Sequence, residues 1–232
     1  MIRIIHISDT HNNHRQIDNI EQYIDKTKYN ILIHSGDFTN YGKELEINRF
    51  FNWLKELTQF DKIFFIAGNH ELTFENKPIW LTNTLLDLPK NIHYLEDELF
   101  ELEINNEILN IYGSPWQPRF YNWAFNVDRD KIYQKWNNIP NQTDILITHG
   151  PPSNILDFNN FNQSCGCNSL REKINEIKPI LNCFGHIHDS YGKSFVNETV
   201  FTNSSIVNNY EKIERKPHII DIKFNNKFEV VL

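Results

Sequence analysis

The chain has 232 residues, 40% of them hydrophobic and 13% aromatic, and a formal net charge of −7. That composition suits a packed globular core and excludes a disordered chain, and the acidic balance excludes a broad face for long nucleic acid. No apolar run approaches the roughly 18–20 residues that cross a bilayer, so no membrane partner is expected.

In chain order, the predicted strands are short apolar runs at 2–7, 31–34, 62–67, 108–112, 144–148 and 180–184. Each is apolar on both sides of the alternation, which suits strands covered on both faces. Helix-period segments lie between them. Residues 13–28 place Ile17, Ile20 and Ile24 on one side, residues 43–57 gather Ile47, Phe50, Phe51 and Leu54, and residues 169–178 stop at Pro179. The alternation indicates parallel β-α units. The tail reads instead as antiparallel hairpins over 191–201 and 218–231, the second turning at Asn225-Asn226. With no repeat, low-complexity tract or Gly/Ser-rich linker, residues 1–232 read as one α/β domain with mixed sheets. The opening residues enter a core strand without a signal-peptide layout, and Cys165, Cys167 and Cys183 make no disulfide framework. A cytoplasmic setting is therefore expected. Cys165-Gly166-Cys167 lacks zinc-knuckle spacing, so these thiols read as structural.

Five of the runs end in clusters of metal-ligating residue types: Ser8-Asp9-Thr10-His11, Ser35-Gly36-Asp37, Gly68-Asn69-His70-Glu71, Thr148-His149-Gly150 and Gly185-His186-Ile187-His188. In open α/β sheets, ligands collect beyond the carboxyl ends of strands, so clusters far apart in sequence can converge there. Extended backbone would turn Asp9 and His11, and likewise His186 and His188, to one side. Singly, Asp9 could be a helix cap and Asn69 a turn residue. Five such accidents, each at a strand end, are implausible together. His6, His14, His34, His93 and His218 have no such companions and read as hydrogen-bonded core histidines.

The ordered set Asp-x-His, Gly-Asp, Gly-Asn-His-Glu, Thr-His-Gly and Gly-His-x-His resembles the calcineurin-like metallophosphoesterase superfamily over residues 9–188. Residues 36–42, 67–71, 113–118, 123–126 and 166–167 add a closer resemblance to the metallophosphoesterase-domain phosphodiesterases. One departure is Asn40, where the superfamily often carries Asp or Arg. The resemblance implies a four-layer α/β/β/α sandwich of two mixed β-sheets flanked by helices. It also implies one metal ion on Asp9, His11, Asp37 and His188, and a second on Asp37, Asn69, His149 and His186. Imidazole-rich ligation suits manganese first, with iron, zinc or nickel as further fits. Two divalent ions outweigh the charges of Asp9 and Asp37, leaving a local positive site that attracts phosphate.

The implied activity is hydrolysis of small phosphodiesters, 2′,3′- or 3′,5′-cyclic nucleotides among them, by metal-activated hydroxide, with His70 donating a proton to the leaving group or steadying the equatorial oxygens. Glu71 either orients this loop or simply starts a helix. The aromatic segment 116–125 is core packing or a nucleobase platform. In the second case Trp116 and Trp123 would stack on the base, and Arg119 or Asn126 would contact phosphate or ribose. Few Lys or Arg flank the motifs, which favours diesters over a phosphomonoesterase or protein phosphatase using the same metals. A non-catalytic nucleotide-binding scaffold is the remaining alternative, and the choice between monomer and homodimer stays open.

Overall fold

Two six-stranded mixed sheets lie face to face in a computed structural model that describes residues 1–17, 19–208 and 212–231. From edge to edge the first sheet runs β14 (Phe228–Val230), β13 (His218–Phe224), β1 (Ile2–Ile7), β2 (Tyr29–His34), β3 (Lys62–Phe65) and β4 (Ile92–Tyr94). The second runs β11 (Gly192–Val196), β12 (Thr199–Asn203), β10 (Leu181–Phe184), β9 (Ile145–Thr148), β6 (Glu107–Ser114) and β5 (Glu98–Ile104). β1 to β4 pair in parallel, as do β6, β9, β10 and β12, while the outer hairpin strands pair antiparallel. A two-stranded ribbon joins β7 (Gln117–Pro118) to β8 (Asn126–Val127).

Side-chain parity divides the interior into three cores. Ile5, Leu32, Ile63 and Phe65 face helices α1 (Glu44–Glu56), α2 (Leu72–Asn76) and α3 (Ile79–Leu86) through Phe50, Phe51, Leu54, Phe74 and Leu81. Their neighbours Ile4, Ile31, Ile33 and Phe64 point the other way and meet Ile111, Ile145, Ile147 and Leu181 between the sheets. Tyr112, Leu146, Phe184 and Phe201 then meet Trp136 of α4 (Tyr133–Trp136) and Leu170 and Ile174 of α5 (Asn168–Ile177). Successive strand residues face opposite sides, so a strand apolar on both faces needs a partner layer on each. This is the four-layer α/β/β/α sandwich. No helix among the described residues is long and apolar enough to cross a membrane.

One expected element differs. Residues 13–28 form two short 3-10 turns, His14–Gln16 and Ile20–Tyr23, instead of a helix. Ile17 and Ile20 still bury their side chains, but Asn and Asp side chains compete for the backbone here. Asp25, for example, accepts both the N–H and the hydroxyl of Thr27. Position 18 lies outside the described residues. Both tail hairpins are present. β13 and β14 turn with Asn226 in a left-handed conformation, and β11 and β12 turn through left-handed Asn197 and Glu198.

Candidate metal centre

The carboxyl ends of β1, β2, β3, β9 and β10 lie along one edge of the two facing sheets, and each delivers residues to one cluster. Ligand atoms of Asp9, His11 and His188 lie within 4.8 Å of one another, as do those of Asp37, His149 and His186. His188 Nε2 is 3.3 Å from Asp9 Oδ1, and His149 Nε2 is 3.2 Å from Asp37 Oδ2. Asn69 Oδ1 joins the second group, 3.0 Å from His149 Nε2. A third grouping of His11, Asp37 and His70 bridges the two.

The backbone reaches this arrangement by turning rather than by extended alternation. Asp9, His11, Asp37 and His186 have φ of 52°, 41°, 54° and 67°. Such left-handed conformations cost roughly 1–3 kcal/mol each for residues other than glycine and persist where surrounding contacts enforce them. Those contacts are visible: the His186 N–H donates to both Asp9 carboxylate oxygens at 3.1 and 3.0 Å, and the His70 N–H donates to Asp37 Oδ1 at 2.9 Å. The glycines explain themselves by crowding. A Cβ on Gly68 would collide with Asp37 Oδ1, and one on Gly185 would collide with Asp9 Oδ2.

Hydrogen bonds fix which ring nitrogen faces the centre. His149 donates Nδ1–H to the Ser35 carbonyl at 2.8 Å, which leaves Nε2 for Asp37, Asn69 and any ion between them. Burial pulls the His149 pKa down, yet the adjacent Asp37 carboxylate outweighs it and lifts the ring to about 9. Burial, reinforced by His149, pushes His186 down to about 3. His70 donates Nδ1–H to the Asn40 carbonyl at 2.7 Å, so Nε2 turns toward Asp37 Oδ2, 3.9 Å away. The departure at Asn40 is thus placed: its main chain, not its side chain, orients His70.

Glu71 serves as a loop organiser. It is fully buried and accepts the N–H groups of Asp37, Thr39 and Gly68 and the Thr39 hydroxyl, at 2.8, 2.9, 2.6 and 2.8 Å. It therefore stitches the loop after β2 to the loop after β3. Burial and the Asp37 charge together push its pKa up to about 7. It flanks α2 without capping it through its side chain.

The donor set fits metal ions on one observation above others. His11 is 3% exposed, and neither ring nitrogen has a hydrogen-bond partner. A buried imidazole left unpaired is costly unless something else takes its lone pair. With two carboxylates, an amide oxygen and four imidazoles gathered here, divalent ions supply that partner.

A cavity of about 650 Å³ opens from the centre, with Asn69, His70, His186 and His188 at one end and Arg119, Phe120 and Arg129 on its wall. The four expected substrate contacts fare differently. Arg119 reaches the wall, but its guanidinium pairs with Asp128 at 2.5 Å. Asn126 spends its amide on the main chain of Phe120 and Tyr121, shaping the loop that presents Phe120. Trp123 stacks on His70 with ring centroids 4.1 Å apart. Neither Trp123 nor Asn126 lines the cavity, nor does Trp116. Its indole N–H donates to Asp97, and Lys135 Nζ sits 3.5 Å above its ring. Sequence reading missed Arg129, which no motif spacing marked, and left Phe120 undistinguished within the aromatic segment. Arg119, an expected contact, and Arg129, an unexpected one, are both brought to the wall by residues 117–129 through the β7–β8 ribbon. Of the cysteines, Cys167 and Cys183 are buried and Cys165 lines the cavity, and all three are free. His6 is a core histidine bonded to Ser35, Thr202 and Ser204.

A family model for calcineurin-like phosphoesterases matches residues 2–190. The chain belongs to the calcineurin-like phosphoesterase family. Human metallophosphoesterase domain-containing protein 1 is 38% identical over 95% of this chain and 71% of its own length. A Caenorhabditis elegans UPF0046 protein is 35% identical over 95% of this chain and 81% of its own. Among solved structures, the NAD nucleotidase of Haemophilus influenzae aligns with a TM-score of 0.53 at 13% identity, covering all of this chain and 49% of that one, and shares the fold. As a calcineurin-like phosphoesterase, the chain is a metal-dependent phosphoric ester hydrolase by family. The family match ends at position 190, before β11 to β14, which complete both sheets.

Proposed function

We propose that the protein hydrolyses small phosphodiesters, with cyclic nucleotides as the leading substrate class. The observation that favours diesters is the state of the cationic side chains on the cavity wall. Arg119 is neutralised by Asp128, and Arg129 is bound to the carbonyls of Cys165 and Gly166 at 2.8 Å each. Arg119 is thus largely compensated while Arg129 keeps its charge, so a single uncompensated guanidinium on the wall matches the single charge of a diester. The cavity volume suits a ligand of nucleotide size, and Phe120, 46% exposed beside His186, offers a ring face for a base.

Asp9, His11, Asp37 and His188 would hold one ion, and Asp37, Asn69, His149 and His186 the other. When bound, such ions activate water and neutralise phosphate charge. Manganese is the first to test, followed by iron, zinc and nickel. The chain's own part in the chemistry falls to His70. Its Nδ1–H is held by Asn40, and Trp123 packs against its face, so Nε2 is the atom that carries a proton to the leaving alkoxide.

Metal-stripped protein reconstituted with each ion tests this reading. The measurement is kcat/KM for bis(4-nitrophenyl) phosphate against 4-nitrophenyl phosphate, then for 2′,3′- and 3′,5′-cyclic nucleotides. Higher values for the diester support the proposal. A higher value for the monoester identifies a phosphomonoesterase, and inactivity with every ion and ester removes the enzymatic reading.

A further inference from the structure

Residues 204–207 and Arg215 lie beyond the family match, yet they stand between two parts of the metal centre. On one side it grips the residue before Asp9: Ser8 N–H donates to the Ser204 carbonyl at 2.9 Å, and Ile206 N–H donates to the Ser8 carbonyl at 3.1 Å. On the other side stands Arg215. Its Nη1 donates to the carbonyl of the ligand His188 at 2.5 Å and to those of Ser205 and Val207 at 2.9 Å each. The guanidinium lies 5.3 Å from the centroid of the Tyr191 ring, whose hydroxyl donates to the Lys216 carbonyl.

The geometry points to Arg215 as the positioning residue for the Asp9–His11–His188 half of the centre. Its side chain ties the His188 turn to the segment that also holds the Asp9 turn, so the guanidinium acts beside the His186 N–H in setting the spacing between two ligands 179 positions apart in sequence. Within the turn, the Ser190 N–H and the Asn203 amide donate to the Ile187 carbonyl, which leaves the His188 carbonyl to Arg215. The other half centre has a support of its own, the Ser35 carbonyl behind His149, while Asp37, held by Glu71, serves both halves. Loss of Arg215 therefore acts on one ion and spares the second. A lysine, with three donors on a flexible stem, restores part of the contact, whereas methionine keeps the apolar stem and loses every donor.

This inference rests on the two-ion reading of the site. Calorimetric titration of metal-free protein with MnCl2 reads both ions separately from turnover. Wild-type chain is expected to bind two ions. Arg215→Met is expected to bind one as tightly as wild type and the other about 10–100-fold more weakly, the usual effect of removing a residue behind a ligand. Arg215→Lys is expected to fall between them. The electron-spin signal of a coupled manganese pair should give way to that of an isolated ion in the methionine variant at matched loading. Equal affinities for both ions in Arg215→Met overturn Arg215's role, as does parallel weakening of both ions together with a lowered urea midpoint in metal-free protein. A wild-type chain that binds only one ion overturns the two-ion reading itself, and this inference with it.

Discussion

His34 offers a quantitative test of how the centre is buttressed, because its protonation state is fixed by two opposed contacts. The ring is fully buried; the Gly36 N–H donates to Nδ1 at 3.3 Å, and Nε2 faces the Thr10 hydroxyl at 3.0 Å. Nδ1 is thus an acceptor and Nε2 carries the proton, so a second proton would sit against an N–H donor. Burial, with the weaker opposing influence of the Asp9 charge, pushes the pKa from 6.5 down to about 3. The sign follows from linkage: the unfolded chain takes up a proton below pH 6.5 while the folded chain does not, so stability is lost as pH falls through that window. Between pH 6.5 and 5 the loss from this one ring is about 2 kcal/mol. Gln at position 34 can keep one donor and one acceptor but does not titrate. Urea melts of metal-free wild type and His34→Gln at pH 7.5, 6.5 and 5 give the comparison. The variant should begin less stable at pH 7.5 and lose about 2 kcal/mol less than wild type on acidification from pH 6.5 to 5. Parallel stability curves for the two proteins would refute the assignment of a neutral, buried His34.

Three further outcomes follow from the site. His70→Ala should bind manganese as wild type does and lose about 10²–10⁴-fold in kcat, the usual span for a proton donor; near-normal turnover removes His70 from the chemistry. Trp123→Leu should lower kcat about 2–10-fold with KM little changed, since a stacked pair contributes about 0.5–1.5 kcal/mol; an effect on KM alone would make Trp123 a substrate contact instead. Glu71→Ala strands three buried N–H groups and should destabilise the metal-free protein by about 3 kcal/mol or more in urea melts, and a loss within 0.5 kcal/mol, roughly the noise of surface substitutions, would show that water replaces the carboxylate.

The strands and the chain positions of the ligand clusters were legible because burial on both faces writes a continuous apolar run, and five of the six runs stop where a ligand cluster begins. Ile31, Leu32 and Ile33 illustrate this, divided between two cores and followed at once by His34, Ser35, Gly36 and Asp37. The segment 13–28 was not legible for the opposite reason. Its isoleucines satisfy helical spacing, Ile17 and Ile20 buried and Ile24 half-buried, but spacing alone does not register the side chains that close turns around Asn13 and Asp25. Arg129 escaped notice because its place on the wall depends on a loop closed by contacts to Cys165 and Gly166, more than thirty residues downstream.

Side chains spell the ligand set, but the main chain aims it, and that division explains which residues a motif can reveal. Asp9 and Asp37 sit in left-handed turns held by the N–H groups of His186 and His70, residues contributed by other strands. His70 is oriented by a carbonyl at Asn40, where any non-proline side chain could stand without altering the acceptor, so departure from the family pattern there leaves the orienting contact in place. The Arg215 contact follows the same logic, since it too grips a carbonyl of the ligand residue rather than its ring. A site built this way loses its geometry when a main-chain support is removed from outside every motif. Metal affinity at each half centre therefore exposes those supports more directly than turnover does.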